Sequence, residues 1–126
     1  MANTPNLIRA TENHPGILVA ATLSAASTAV YTGPVGDVDD DEDDGKATAI
    51  ATATVCNTSG SARVAYIAVT KAGGGTARLA RIPLDVDESC VVDELVGFLL
   101  GPGDVILAWA SAVASVDIAI SGAVSS

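Results

Sequence analysis

Apolar and polar positions alternate with period two along most of this chain. The clearest run is KATAIATATVCNTSGSARVAYIAVT, from Lys46 to Thr70. Ala47, Ala49, Ala51, Ala53 and Val55 share one face of it, and Thr48, Ile50, Thr52, Thr54 and Cys56 the other. After Arg63, Val64, Tyr66 and Ala68 oppose Ala65, Ile67 and Val69. Alternation with β-branched residues predicts strands, not helices. Asn57-Thr58-Ser59-Gly60-Ser61 holds residues that tolerate turn geometry, so the two strands are expected to form a hairpin.

The same pattern extends outward. Residues 17–23 and 28–32 predict strands joined by a Ser24-Ala25-Ala26-Ser27 turn, and Gly33-Pro34-Val35-Gly36 then breaks the chain. Residues 78–84 predict a strand ending at an edge, because Pro83 has no amide hydrogen. Residues 89–92 are extended. DELVGFLL, residues 93–100, is the one stretch that predicts a helical turn, with Asp93 as its cap and Glu94 in its first turn. Gly101-Pro102-Gly103-Asp104 predicts a turn. In the next strand Val105, Leu107 and Trp109 are expected in the core, opposite Ile106, Ala108 and Ala110. The last strand sets Val116, Ile118, Ile120 and Val124 against Asp117, Ala119, Ser121 and Ala123. Seven to eight strands with frequent turns predict an all-β chain, a single antiparallel β-sandwich of jelly-roll or immunoglobulin-like type. Residues 1–16, with Pro5 and Pro15, are expected to be an extended arm before a sandwich of residues 17–126, with an acidic loop at 37–45.

Composition narrows this picture. The 126 residues fit one domain. Hydrophobic residues make up 49% but aromatics only 3%, so the core must be thin and built from Ala, Val, Ile and Leu. The net charge is −9, with 15 acidic residues against 6 basic ones. Phosphate neutralisation needs clustered Lys and Arg, which argues against nucleic acid, and an anionic membrane surface is disfavoured for the same reason. No apolar run reaches the ~18 residues of a membrane-spanning helix, and the N-terminus lacks a signal-peptide pattern. Synthesis in the cytoplasm is expected.

DVDDDEDD places seven acids in eight positions: Asp37, Asp39, Asp40, Asp41, Glu42, Asp43 and Asp44. Such a block repels itself and belongs on a solvated loop tip. The alternatives are a weak cation site, with Asp39, Asp41 and Asp43 as candidate ligands, or a docking tip for a basic partner. The EF-hand template fits poorly: counted from Asp40, the twelfth position is Ala51 instead of Glu. The isolated subunit is expected to show no calcium effect. KAGGGTA is not a phosphate loop. Cys56 and Cys90 read as two small buried hydrophobes, with a disulfide as the alternative, and His14 as an exposed turn residue. Neither a catalytic triad nor ligand spacing for a metal stands out, so the chain is expected to be no enzyme and to use no cofactor. Several strands are apolar on both faces. Ile50 opposes Ala49 and Ala51, and Ile106 opposes Val105 and Leu107. A monomeric sandwich needs one polar face per sheet, so a symmetric homo-oligomer is expected, with the arm before Pro15 crossing to a neighbour.

YTGPVG from Tyr31, ATATVCNTSGSARVAYIAV, the DVDES turn and DELVGFLLGPGDVILAWASAVASVDIAISG together resemble a group of small virion proteins of tailed bacteriophages. The group shows an "xLYTxPxG" turn, a "CNTSGSAxxVxxxxV" hairpin, an "LxxGDxIxAxAS" strand and a closing "VxxxISG" strand. The likeness covers roughly residues 16–124, and the chain departs from it at DVDDDEDD, where the group has a short Thr-rich link. The resemblance implies a non-enzymatic virion component of the capsid surface, the head–tail junction or the tail, with other virion structural proteins as partners. A receptor- or carbohydrate-binding module at a fibre tip and a calcium-dependent adhesive domain are the alternatives.

Overall fold

The period-two pattern folds into nine antiparallel strands. A computed structural model describes residues 13–34 and 47–125. The strands are β1 (Asn13–Thr22), β2 (Thr28–Thr32), β3 (Thr48–Asn57), β4 (Arg63–Thr70), β5 (Thr76–Leu84), β6 (Ser89–Val91), β7 (Leu99–Leu100), β8 (Val105–Ala110) and β9 (Val116–Ser125). Among the described residues there is no helix. One sheet has the order β1-β9-β3-β6, with β7 also on β3, and the other the order β2-β8-β4-β5.

These pairings describe a single ribbon folded back on itself. β4 pairs with β5, β3 with β6 and β7, β2 with β8, and β1 with β9. Rolling that ribbon brings β9 beside β3 and β8 beside β4. This is a jelly roll, so the jelly-roll alternative holds and the immunoglobulin-like one does not.

The expected hairpin between β3 and β4 does not form, because the two strands lie in opposite sheets. Asn57 makes the corner and is fully buried. Its Nδ2 donates to the carbonyls of Ser61 (2.8 Å), Asp85 (3.0 Å) and Leu84 (3.3 Å). Its Oδ1 accepts from the Ser59 amide (2.9 Å) and hydroxyl (2.8 Å). A five-residue connection suits a hairpin or a corner equally well. Here one side chain ties the end of β3 to the β5–β6 turn, and that steers the chain across to the other sheet.

β1 begins at Asn13, four residues before the strand expected at Ile17, so the end of the supposed arm is strand. Pro15 pairs opposite Ala123. The residue is tolerated because β1 is an edge strand. Residues 1–12 and the acidic loop lie outside the described residues. The helical turn expected over 93–100 is a detour inside one strand. Leu95, Val96 and Phe98 donate amide hydrogens to Val92, Asp93 and Leu95, three residues back. Bonds from Val92 N to Ala53 O and from Gly97 N to Ile50 O keep the detour against β3. Its gain is that Val92 and Leu95 enter the core. The ninth strand arises here, since β6 and β7 flank one interruption. Where β3 bulges between Ile50 and Thr52, Gly122 of β9 sits so close that a Cβ would run into the Ala49 carbonyl oxygen.

Inside, Ala53, Ala65, Ala80, Ala108 and Ala110 interleave with Ile50, Val55, Ile67, Ile106, Ile118 and Ile120. The alternation expected in β8 is present, but its faces are reversed. Ile106, Ala108 and Ala110 are buried, while Val105, Leu107 and Trp109 face outward and are half-buried. The physical reason is the thinness of the layer. With alanines from both sheets meeting in it, an indole would overpack the space.

Asn57→Ala strands the Ser59 amide and takes a donor from the Ser61, Leu84 and Asp85 carbonyls. The expected loss is about 2–3 kcal/mol in urea unfolding. Asn57→Asp is expected to cost more, because a carboxylate in that position faces three carbonyls with no donor.

Candidate functional site

The outward faces of β8, β4 and β5 build the chemically richest surface among the described residues. Tyr66 pairs opposite Trp109, and their rings stack with centroids 5.3 Å apart and planes inclined by 15°. On the other side of Tyr66, the Arg78 guanidinium lies 5.6 Å from the ring centroid. A ladder results, Trp109 on β8, Tyr66 on β4 and Arg78 on β5. Tyr66 is covered on both ring faces. Trp109 is half-buried, and on its β2 side the outward residue in the adjoining row is the small Ala29, opposite Leu107.

Arg81 joins this face through a register shift. Arg78 and Arg81 are three residues apart, and unbroken alternation would send them to opposite sides. The β4–β5 ladder skips Leu79 between Ala80 and Arg78. Arg81 therefore pairs opposite Tyr66 and Arg78 opposite Ala68, both on the outside. Both arginines are exposed. The described cations are Arg63, Lys71, Arg78 and Arg81, all on β4, β5 or the turn between them. No described carboxylate lies on the outward face of these strands. In a chain of net charge −9, this face is locally basic.

The outer face of the five-stranded sheet is different. Across it run Ala20, Ala119, Thr54 and Val91, which are paired side by side, with Ile17 and Leu99 at the periphery. Ile17 is 75% and Leu99 65% exposed. Asp117 is the one charge on the rows described here, and it accepts a 2.7 Å hydrogen bond from the Thr22 hydroxyl. A shallow hollow of about 430 Å³ opens there between Ala20, Thr54, Cys56 and Asp117. A second, of about 410 Å³, opens beside Arg63, Asp85 and Glu88, where the Arg63 Nε has no hydrogen-bond partner.

The residues singled out from sequence separate. Asp37, Asp39, Asp40, Asp41, Glu42, Asp43 and Asp44 lie outside the described residues, and with them the cation candidates Asp39, Asp41 and Asp43. Among the described residues no group of three His, Cys, Asp or Glu side chains could hold a metal ion. His14 is in β1, opposite Val124. Both cysteines are free. Cys56 pairs opposite Ser89 and Cys90 opposite Val55. Adjacent register positions point to opposite faces of a sheet, so the disulfide alternative fails. Tyr31 turns inward and reaches the Thr48 hydroxyl at 3.2 Å. Sequence reasoning missed the Arg78–Arg81 pair, since only the bulge brings the two together.

At one end of the sandwich, Asp104 holds three turns. Its carboxylate accepts from the Ala72 amide and the Gly101 amide, each at 2.9 Å, and its carbonyl accepts from Gly33 at 2.7 Å. The hydrogen bond from Ala72, helped by that from Gly101 and by the nearby Lys71 charge, holds the Asp104 carboxyl below the ordinary carboxylate range.

No protein-family model matches this chain, and no curated protein matches it. Among the described residues no helix is long and apolar enough to cross a membrane.

Because Trp109 lies on the outer face, Trp109→Ala leaves no core cavity. The expected cost is about 1–2 kcal/mol, from the lost ring pair and the newly wetted Tyr66, against the ~3–5 kcal/mol of a core aromatic. Chemical denaturation of the two proteins side by side measures it. The low Asp104 pKa adds stability that is complete above the usual Asp range and is lost as pH falls through the folded-state value. Unfolding midpoints are expected to drop below about pH 4. Asp104→Asn should lower the plateau and flatten that acid limb.

Proposed function

We propose that this chain is a non-enzymatic structural protein that works by self-association, as an accessory component of a tailed-phage virion. The observation that carries the self-association is the outer face of the five-stranded sheet. It is broad and nearly uncharged, made of Ala and Thr with Val91, Ile17 and Leu99, and none of the described residues covers it. Small side chains let a second sheet approach closely, and closing a ring removes the open edges at β1 and β6. The virion assignment draws on the turn and strand pattern from Tyr31 to Gly122, which resembles that of the phage proteins. Within the virion, the capsid surface, the head–tail junction and the tail all suit such a module, with other virion proteins as further partners.

A glycan-binding module at a fibre tip draws on the stacked Tyr66 and Trp109. It is the weaker reading, because Tyr66 is enclosed between Trp109 and Arg78, and Trp109 is half-buried.

Sedimentation at micromolar concentration is expected to show a discrete oligomer. Labelling of purified particles is expected to find the chain in symmetric clusters. A single monomeric species, together with isolated copies on the particle, would remove the reading.

A further inference from the structure

The acidic run Asp37–Asp44 and the basic, aromatic face of the four-stranded sheet have opposite charge and the same scale. The run carries seven carboxylates and no cation of its own. The face carries Arg78, which is engaged only with a ring, and Arg81, which has no partner among the described residues. Beside them stands Trp109, half-buried and stacked on Tyr66. We propose that this outer face, centred on Trp109, Tyr66, Arg78 and Arg81, is the docking surface for the acidic segment Asp37–Asp44 of a second copy of this chain.

Reach decides between a second copy and the same chain. Thr32, Val105, Thr70 and Thr76 form one row across the sheet. Three strand spacings of about 4.8 Å put β5 about 14 Å from β2. Arg81 lies five positions along β5 from that row, one of them taken up by the bulge, while Pro34 lies two residues past it in the opposite direction. The along-strand offset is about 20 Å at ~3.3 Å per residue, so Pro34 and Arg81 are about 25 Å apart. Asp40, at the middle of the run, is six residues from Pro34, which is ~20 Å at full stretch. The chain must also return to Ala47. A fully stretched loop thus brings only its tip to Arg78, and meets Arg81 only with both side chains extended towards each other, which leaves the rest of the run off the face. From another copy the run has no such tether, and its eight residues span both arginines and the indole. Guanidinium–carboxylate pairing is the strong form of surface ion pairing, and it gains where a neighbouring ring excludes water. The contact is head-to-tail, face to segment, and closes into a ring when the rotation between copies permits.

This proposal rests on self-association and adds to the small-residue face of the five-stranded sheet a second contact, which orients the copies. Two full-length variants test it. In one, Arg78→Ser and Arg81→Ser empty the face. In the other, Asp37→Asn, Asp39→Asn, Asp40→Asn, Asp41→Asn, Glu42→Gln, Asp43→Asn and Asp44→Asn neutralise the segment. Unchanged circular dichroism first establishes that both fold. The unsubstituted protein is expected to associate at about 50 mM salt and to weaken as salt rises, as screening requires. Each variant alone should lose association by at least about tenfold. An equimolar mixture of the two should form a one-to-one complex, since each supplies the half that the other lacks. An oligomer unaffected by either set of substitutions overturns the proposal and leaves self-association standing through another face. A monomer at every concentration, whose tryptophan emission changes when the segment is neutralised, overturns it in favour of docking within one chain. A monomer with unchanged emission overturns both the proposal and the self-association reading.

Discussion

The distance between the two sheets is the constraint on which the rest of this structure depends. Face-to-face sheets pack about 10 Å apart, and here much of that layer is filled by alanine. Ala53 and Ala65 come from opposite sheets, and Ala80, Ala108 and Ala110 share the space with them. The rest is Ile, Val and Leu, with Tyr31 and Phe98 only at its margin. The rings of the central strands, Tyr66 and Trp109, go outward, and the outer face of the four-stranded sheet becomes the aromatic one. The same closeness explains the buried Asn57, whose amide reaches from the end of one sheet to the carbonyls of the other without a bridging residue.

Much of the fold was legible in the order of residues. β2 occupies the expected residues, and the alternation in β4, β8 and β9 is real, whereas the bulge at Ala51 breaks that of β3 and puts Thr48 and Ile50 on the same buried face as Ala53 and Val55. What alternation cannot state is which of two faces is wet, or which sheet a strand joins. In β8 both sets are apolar, and bulk pointed the wrong way: Val, Leu and Trp outweigh Ile, Ala and Ala in hydrophobicity but not in fit. At Asn57 the local sequence satisfies a hairpin and a corner alike, and the decision comes from carbonyls 27 and 28 residues away. The Arg78–Arg81 pair depends on a one-residue shift in β5, which reverses every parity beyond it. The detour between β6 and β7 satisfies its amides over three-residue spans while its apolar residues plug the core, so it imitates a helical start.

The two outer faces differ in character. One is flat, small and nearly neutral, which favours close approach. The other carries guanidinium groups and a ring pair, which favours orientation. Charge is distributed accordingly: the described cations gather on β4, β5 and their turn, while the densest acids in the chain lie between β2 and β3. A net charge of −9 makes copies of the chain repel at long range, and the basic face is a local inversion of that sign.

The position of β9 has a consequence for how the molecule is made. It lies between β1 and β3, inside its sheet, yet among the described strands it is the last in chain order and so leaves the ribosome after the others. Until it arrives, β1 has no neighbour and β3 presents a bare row of amides and carbonyls. Synthesis at about 5–20 residues per second leaves those edges open for seconds, a period in which strands of different nascent chains are able to pair. Folding of this jelly roll is therefore expected to be late and cooperative, with the sheet closing only after the whole ribbon is present. Sparse aromatics keep the waiting strands weakly adhesive.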